Sequence, residues 1–125
     1  MGIDEIGNME VDKMNISIQS QKMGNLLQGF IQGEIDIHTA PIFKGELELI
    51  VLSDNLIIEL DFSKVTYMDS SGLGVLIAFY KKVIKKNAYL KLVNISERIT
   101  RMFKITGLSE IMDIDMGRAT NVIIR

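Results

Sequence analysis

The sequence contains no cysteine and only one histidine. Without cysteine the chain has no disulfide framework, no thiolate nucleophile and no cysteine zinc site, and it is compatible with a reducing cytoplasm. The single histidine, His38, falls in a predicted loop that opens a helix, and we interpret it as a partly exposed loop residue. These absences argue against metal sites built on cysteine or histidine. We also predict no metal of another kind, no cofactor and no catalytic residue.

Basic charge and long apolar runs are also scarce. The chain carries 14 Lys and Arg against 16 Asp and Glu, for a formal charge of -2. This balance disfavours nucleic-acid binding, which normally needs clustered basic residues. No apolar run has the length that crosses a bilayer, and Asp4 and Glu5 stand where a signal peptide carries base. The sequence predicts a soluble, unprocessed cytoplasmic protein with no membrane or direct nucleic-acid contact.

Length and composition fit one globular domain. The 125 residues are 47% hydrophobic and 24% charged, as is typical of folded chains and not of disordered or fibrous ones. Residues 1–12 show no sustained period and are predicted to be an N-terminal lead-in or tail that the fold does not need. Residues 13–125 are predicted to form the domain.

Alternating apolar residues predict an antiparallel hairpin at the start of the domain. The alternation over residues 14–18 has the period of a strand with one buried face. Gly24-Asn25 is a turn signal, and residues 26–31 read as the second strand. Residues 33–36 are predicted to break that strand.

A first helix is predicted from a cap, the one proline and an apolar stripe. Thr39 is the candidate N-cap, and Pro41 fits the first turn, where its missing N–H costs least. The helix is predicted to run to about Leu52 and to cover one face of a sheet. Its stripe comprises Phe43, Leu47, Ile50 and Val51.

Strands and helices alternate in the second half. Residues 56–60 predict a central strand buried on both faces, and residues 61–69 lead from it into a helix. Residues 89–93 predict a further strand, followed by a helix capped by Ser96 and ended by Gly107. The inner side of that last helix is predicted to comprise Ile99, Met102, Phe103 and Ile105.

The helix after Gly74 has an apolar stripe and a basic end. The stripe comprises Leu76, Phe79, Tyr80 and Val83, and the basic end comprises Lys81, Lys82, Lys85 and Lys86. Lysines at a helix C-terminus favour the helix dipole, and this explains them better than a nucleic-acid patch does. Residues 111–114 predict a short strand, and residues 122–124 are too short a run to assign. The whole order predicts a single α/β domain with a mixed sheet.

The stretch from Asp69 to Leu76 carries the candidate site. The hydroxyls of Ser70 and Ser71 follow Asp69 where an extended segment ends and a helix begins. Backbone N–H groups lack intrahelical partners at such a point, so it suits a side-chain cap and, after modification, a phosphate. Taken alone, a Ser-Ser pair at a helix start most often acts only as a cap.

Catalytic and nucleotide-binding interpretations of this stretch fail on spacing. The glycine before the nucleophile in Gly-x-Ser-x-Gly is absent, which argues against a serine hydrolase. Gly72-x-Gly74 lacks both the Gly-Lys-Ser/Thr ending of a phosphate loop and the third glycine of a dinucleotide fingerprint. The two glycines instead indicate close approach of the helix start to neighbouring backbone or to a partner surface, and the sequence leaves these two open.

A response regulator is a further alternative. Asp36, Asp61 and Asp69 are candidates to meet at one sheet edge and form an acidic Mg²⁺ pocket with a phosphorylated aspartate. That class needs an acidic pair after the first strand, where this chain has Gln19-Ser20-Gln21. The response-regulator interpretation is therefore the weaker one.

The order of the motifs resembles the STAS-domain anti-sigma factor antagonists of bacteria. Asp69-Ser70-Ser71-Gly72-Leu73-Gly74-Val75 follows a buried strand, Gly33-Glu34-Ile35-Asp36 precedes it, and Leu92-Val93-Asn94 and residues 103–108 follow. The resemblance spans about residues 14–114, and Asp-Ser-Ser-Gly-Leu-Gly is specific for partner-switching members as against transporter-linked ones. It implies a mixed sheet of about four or five strands covered by helices on one side.

The resemblance also implies that the chemistry is done to this chain. Ser70 takes the position that is phosphorylated by a partner acting both as anti-sigma factor and as serine kinase. The unmodified form would bind that partner and free the sigma factor, the phosphorylated form would be released, and a serine phosphatase would reset it. We expect a non-enzymatic chain that is monomeric when free. The predicted partner-binding residues are Asp36, Asp69, Ser71, Gly72, Leu73, Gly74, Val75 and Leu76.

The rival interpretation from another class is a sensory or scaffold STAS domain. Such a domain would assemble into a larger complex or bind a small ligand without partner switching.

Overall fold

The computed structural model describes residues 16–115, which form five strands, three α-helices and one 3₁₀ turn. The strands are β1 (Ile16–Met23), β2 (Leu26–Ile35), β3 (Ile57–Met68), β4 (Tyr89–Val93) and β5 (Asp113–Asp115). The helices are α1 (Ala40–Glu48), α2 (Ser70–Lys85) and α3 (Glu97–Thr106), and the 3₁₀ turn is Leu108–Glu110. The predicted lead-in at 1–12, the start of the first strand at 14 and the run at 122–124 lie outside the described residues.

The five strands form one mixed sheet in the order β1-β2-β3-β4-β5. β1 and β2 are an antiparallel hairpin, and its turn includes Gly24 at φ 62°. β2, β3, β4 and β5 are mutually parallel. Each crossover steps in the same direction, and right-handed crossovers then place all three helices on one face. The predicted fold, a mixed sheet with helices on one side, is confirmed.

Two strands are longer than the sequence predicts. β2 does not break at Gly33, because Gly33 pairs with Val65 and the strand continues after a register shift. It ends at Ile35, so only Asp36 of the predicted break lies outside the strand. β3 also runs past residue 60 to Met68. Its second half is hard to recognise in the sequence, because two exposed polar pairs interrupt the alternation. These pairs are Ser63-Lys64 and Thr66-Tyr67.

The prediction that β3 is buried on both faces is wrong. Ile58, Leu60 and Phe62 are buried beneath the helices, whereas Ile57 and Glu59 on the opposite face are partly exposed. This alternation is what a sheet covered on one side requires.

The first helix is shorter than predicted and ends at Glu48. The chain tightens there, since Leu49 N–H and Ile50 N–H donate to carbonyls three residues earlier. Phe43 and Leu47 keep their predicted place in the core, but Val51 is 84% exposed and does not belong to the stripe.

The last helix has the predicted ends but a narrower buried face. Ser96 Oγ accepts a hydrogen bond from Ile99 N–H, and Gly107 ends the helix at φ 82°. Ile99 and Phe103 are buried as predicted, whereas Ile105 is 84% exposed. Six residues after Ile99, at 100° per residue, Ile105 has turned away from the sheet.

Candidate functional site

The Asp69–Leu76 stretch lies where two parallel strands end side by side. β3 ends at Met68, and β2 ends at Ile35, its partner in the register. Asp69 N–H donates to the Ile35 carbonyl oxygen over 3.1 Å. This bond fixes the start of α2 next to the loop that carries Asp36, so the structure brings the two predicted regions together.

Asp69 is the N-cap of α2. Its backbone is extended (φ -112°, ψ -169°), and its Oδ1 accepts a hydrogen bond from Ser71 N–H over 2.8 Å. An N-cap carboxylate usually accepts a hydrogen bond in this way from a first-turn backbone N–H that has no partner within the helix. The cap is therefore the aspartate, and the interpretation of the two serines as caps is wrong.

Ser70 is the first residue of α2 and is exposed. Its hydroxyl makes no hydrogen bond within residues 16–115, because Asp69 performs the capping. Ser71 is half-buried and contributes its backbone N–H to the cap. Of the two serines, Ser70 presents the more accessible hydroxyl.

The two glycines of the motif have different surroundings. A Cβ on Gly72 would lie 2.6 Å from Met68 Cγ and 2.7 Å from Ile35 Cγ2, whereas a Cβ on Gly74 would meet nothing within 4 Å. Gly72 therefore lets α2 pack onto the ends of β2 and β3. Gly74 is exposed and serves no packing in the described chain. The sequence could not separate these roles, since the side chains beneath Gly72 come partly from a strand 37 residues earlier.

The remaining predicted contacts divide into buried and accessible side chains. Leu73 and Leu76 are 5% and 0% exposed, so their side chains hold α2 on the sheet. Val75 is half-buried. Leu73 and Leu76 can therefore affect partner binding only indirectly, by holding α2 in its position on the sheet.

Asp36 organises the loop between β2 and α1. Its Oδ1 accepts hydrogen bonds from His38 N–H at 2.9 Å and Thr39 N–H at 3.0 Å. Thr39 is at the N-cap position but makes no side-chain cap hydrogen bond, so its prediction as the capping side chain is wrong. Its hydroxyl instead donates to Glu34 O at 2.7 Å and accepts from Asp36 N–H at 2.9 Å. This bridging role gave no signal in the sequence.

We expect the Asp36 carboxyl to titrate below its usual value of 3.8. The hydrogen bond from Thr39 N–H is the main cause of the lowered pKa, and the His38 N–H adds to it. The Thr39 hydroxyl, shared between Glu34 O and Asp36 Oδ1 at 3.3 Å, adds a smaller part. The turn keeps its full stability above 3.8 and loses it as the pH falls through the lowered pKa. An NMR titration of the side-chain carboxyl measures this. Thr39→Val should bring the Asp36 pKa only part of the way back toward 3.8, because the two backbone N–H donors remain. An Asp36 pKa at or above 3.8 in the wild type would contradict the observed hydrogen bonds.

Asp61 has partners of its own. It accepts from Ser63 N–H and from the Asn94 side chain, each at 2.8 Å. Within residues 16–115, no group of three or more acidic or histidine side chains is placed to hold a metal ion. None of the helices in that range is long and apolar enough to span a membrane.

Comparison with known proteins gives the chain a family. The STAS domain family matches residues 17–120. An anti-sigma-B factor antagonist of Bacillus subtilis is 41% identical over 101 residues, which are 81% of this chain and 92% of that protein.

Two solved structures share the fold. An anti-sigma factor antagonist from Mycobacterium paratuberculosis has a TM-score of 0.72 at 23% identity, over 87% of this chain and 92% of that one. The Bacillus cell fate determinant SpoIIAA in its phosphorylated form has a TM-score of 0.59 at 19% identity, over 87% and 100%. The family match over residues 17–120 and the 41% identity to the Bacillus subtilis protein show that this chain belongs to the STAS domain family.

Proposed function

We propose that the chain is an anti-sigma factor antagonist that is switched by phosphorylation of Ser70. The observation that carries this proposal is the exposed Ser70 hydroxyl at the first position of α2, with the Asp69 carboxylate held beside it as the cap. The name of the Bacillus subtilis relative supports the antagonist role. The phosphorylated SpoIIAA structure supports a fold that accepts a phosphate.

In the proposed cycle the unmodified chain binds an anti-sigma factor that is also a serine kinase, and the sigma factor is freed. The binding surface is formed by residues 69–76, with Asp36 at its edge. The kinase transfers phosphate to Ser70, the complex separates, and a serine phosphatase restores the hydroxyl. The chain itself catalyses nothing, acts in the cytoplasm and is monomeric when free.

Charge alone can operate this switch. A phosphate adds about -1.5 to -2 charges at pH 7 next to Asp69. Like charges brought together at an interface cost several kcal/mol, and about 5.5 kcal/mol is enough to change a population from 99:1 to 1:99. Within the free domain the same phosphate lies at a helix N-terminus, where backbone N–H groups and the helix dipole favour an anion. The modification can therefore alter binding without unfolding the domain.

Intact-mass spectrometry after incubation with ATP and a kinase-type anti-sigma factor from the same organism tests the proposal. We expect one acid-stable phosphate on the wild type and on Ser71→Ala, and none on Ser70→Ala. Ser71→Ala tests the choice of hydroxyl, because it removes the neighbouring hydroxyl and leaves the backbone N–H that Asp69 caps. Since Ser71 belongs to the proposed binding surface, the two variants are compared by the presence of phosphate at completion and not by its rate.

Two outcomes would contradict the proposal. Acid-labile phosphate would indicate a carboxylate acceptor, as in a response regulator. Absence of both binding and phosphate would favour the sensory or scaffold STAS domain.

A further inference from the structure

A groove runs between α1 and α2 on the outer side of the helical layer. Its volume is about 160 Å³, and its floor is formed by Leu47, Val75 and Phe79, with the small residue Ala78 at its edge. Leu47 and Phe79 are only 1% and 5% exposed, so the apolar surface open to a partner belongs to half-buried Val75 and exposed Ala78. A second hollow of about 420 Å³ continues it toward the end of α2 and shares Leu47 and Phe79. A groove of this kind is the surface into which a ridge of side chains on a further helix can pack.

The rim of this groove is basic although the whole chain is acidic. Lys44 lies on the α1 side and Lys82 on the α2 side, and Lys86 lines the adjoining hollow. One carboxylate, Glu48, stands between them, at 4.0 Å from Lys44 Nζ and 3.4 Å from Lys82 Nζ. The net rim charge from these four side chains is positive, against -2 for the chain.

The ion pairs on the rim do not close the groove. The Lys82 and Glu48 side chains are 56% and 46% exposed. Exposed pairs of this kind contribute little to stability, so both lysines can turn toward carboxylates of an incoming molecule.

We propose that the groove binds an acidic amphipathic helix of the same anti-sigma factor that contacts residues 69–76. Val75 belongs to both surfaces, since it is in the predicted contact stretch and in the groove floor. Val75 and Ala78, together with half-buried Ile50 and Leu52 of the adjoining hollow, offer apolar surface to one face of the helix. The lysines pair with acidic residues along the edges of that helix. This inference rests on the proposed function and adds a second region of this chain that contacts the anti-sigma factor.

Opposite charges at Ala78 test the proposal. Ala78 is exposed and helical, and Glu and Lys are both good helix formers, so both variants should fold. Ala78→Glu should weaken binding to the anti-sigma factor about tenfold more than Ala78→Lys, because it places a like charge against the acidic helix. Isothermal titration calorimetry measures both affinities, and thermal melts confirm the fold.

A charge reversal elsewhere provides the control. Lys82→Glu should weaken binding in the same way, whereas Lys22→Glu on the exposed edge strand β1 should not. Equal losses for Ala78→Glu and Ala78→Lys would overturn the acidic character of the occupant, and wild-type affinity in both would overturn the groove as a contact. A change in the chain's own sedimentation in Ala78→Glu would identify a second copy as the occupant, which also overturns the proposal.

The two proposals fail in different ways. If the wild type does not bind the anti-sigma factor at all, the proposed function is lost. If Ser70→Asp abolishes binding and the Ala78 and Lys82 variants do not change it, only the groove is excluded.

Discussion

Ser70→Asp is expected to weaken binding of the anti-sigma factor by about 100-fold, because it places a fixed negative charge beside Asp69 in the proposed interface. The Ser70 side chain is exposed and makes no hydrogen bond within residues 16–115 that the substitution would remove. An acidic residue in the first turn interacts favourably with the helix dipole, by about 0.3–1 kcal/mol, which offsets repulsion from Asp69. The melting temperature should therefore stay within a few degrees of the wild type.

The measurement pairs calorimetric titration with thermal melting. Ser53→Asp adds the same charge in an exposed loop after α1 and should bind as the wild type does. Unchanged affinity in Ser70→Asp would show that charge at this position is not the signal. A large fall in its melting temperature would show instead that the residue has a role in folding.

Gly72→Ala and Gly74→Ala are expected to have opposite effects on stability. At Gly72 the added methyl group would overlap Met68 Cγ and Ile35 Cγ2, at 2.6 and 2.7 Å, in a region where Ile35 is fully buried. Overpacking of this kind typically costs about 1–3 kcal/mol, more than the roughly 1 kcal/mol that alanine gains over glycine in a helix. The melting temperature should fall by several degrees.

At Gly74 the methyl group has open space, so only the gain in helix propensity remains. Gly74→Ala should therefore raise the melting temperature. It should also weaken partner binding, because we expect the partner to approach the backbone closely at Gly74 and the added methyl group would obstruct it. Thermal melts and titration of both variants separate the two roles. A lower melting temperature in Gly74→Ala would contradict the open space at Gly74. An unchanged melting temperature in Gly72→Ala would contradict the close packing at Gly72.

The sequence predicted the fold well where a local pattern was complete. The hairpin turn at Gly24, the strand at 89–93 and the Ser96 cap each depend on a few neighbouring residues, and each is confirmed. It failed where a distant strand decides the outcome. Gly33 reads as a break, but pairing with Val65 keeps it in the sheet.

The same distinction holds at the candidate site. The position of Asp69 and Ser70 at a helix start could be predicted from the sequence, because strand-to-helix transitions have local signals. The choice of Asp69 as the cap and the packing of Gly72 against Ile35 could not, since they depend on the exact backbone path and on a strand from elsewhere in the chain. The contact residues themselves remain predictions until a variant is titrated against the partner.

The hydrogen bond from Asp69 N–H to the Ile35 carbonyl oxygen ties the residue before Ser70 to a segment more than thirty residues earlier. The surface that the kinase would recognise is therefore a conformational epitope, assembled by folding and absent from any linear peptide of the same sequence. Misfolded or partly degraded copies would lack it and would neither sequester the anti-sigma factor nor consume its ATP. In the proposed cycle, only intact folded molecules would therefore count toward the switch.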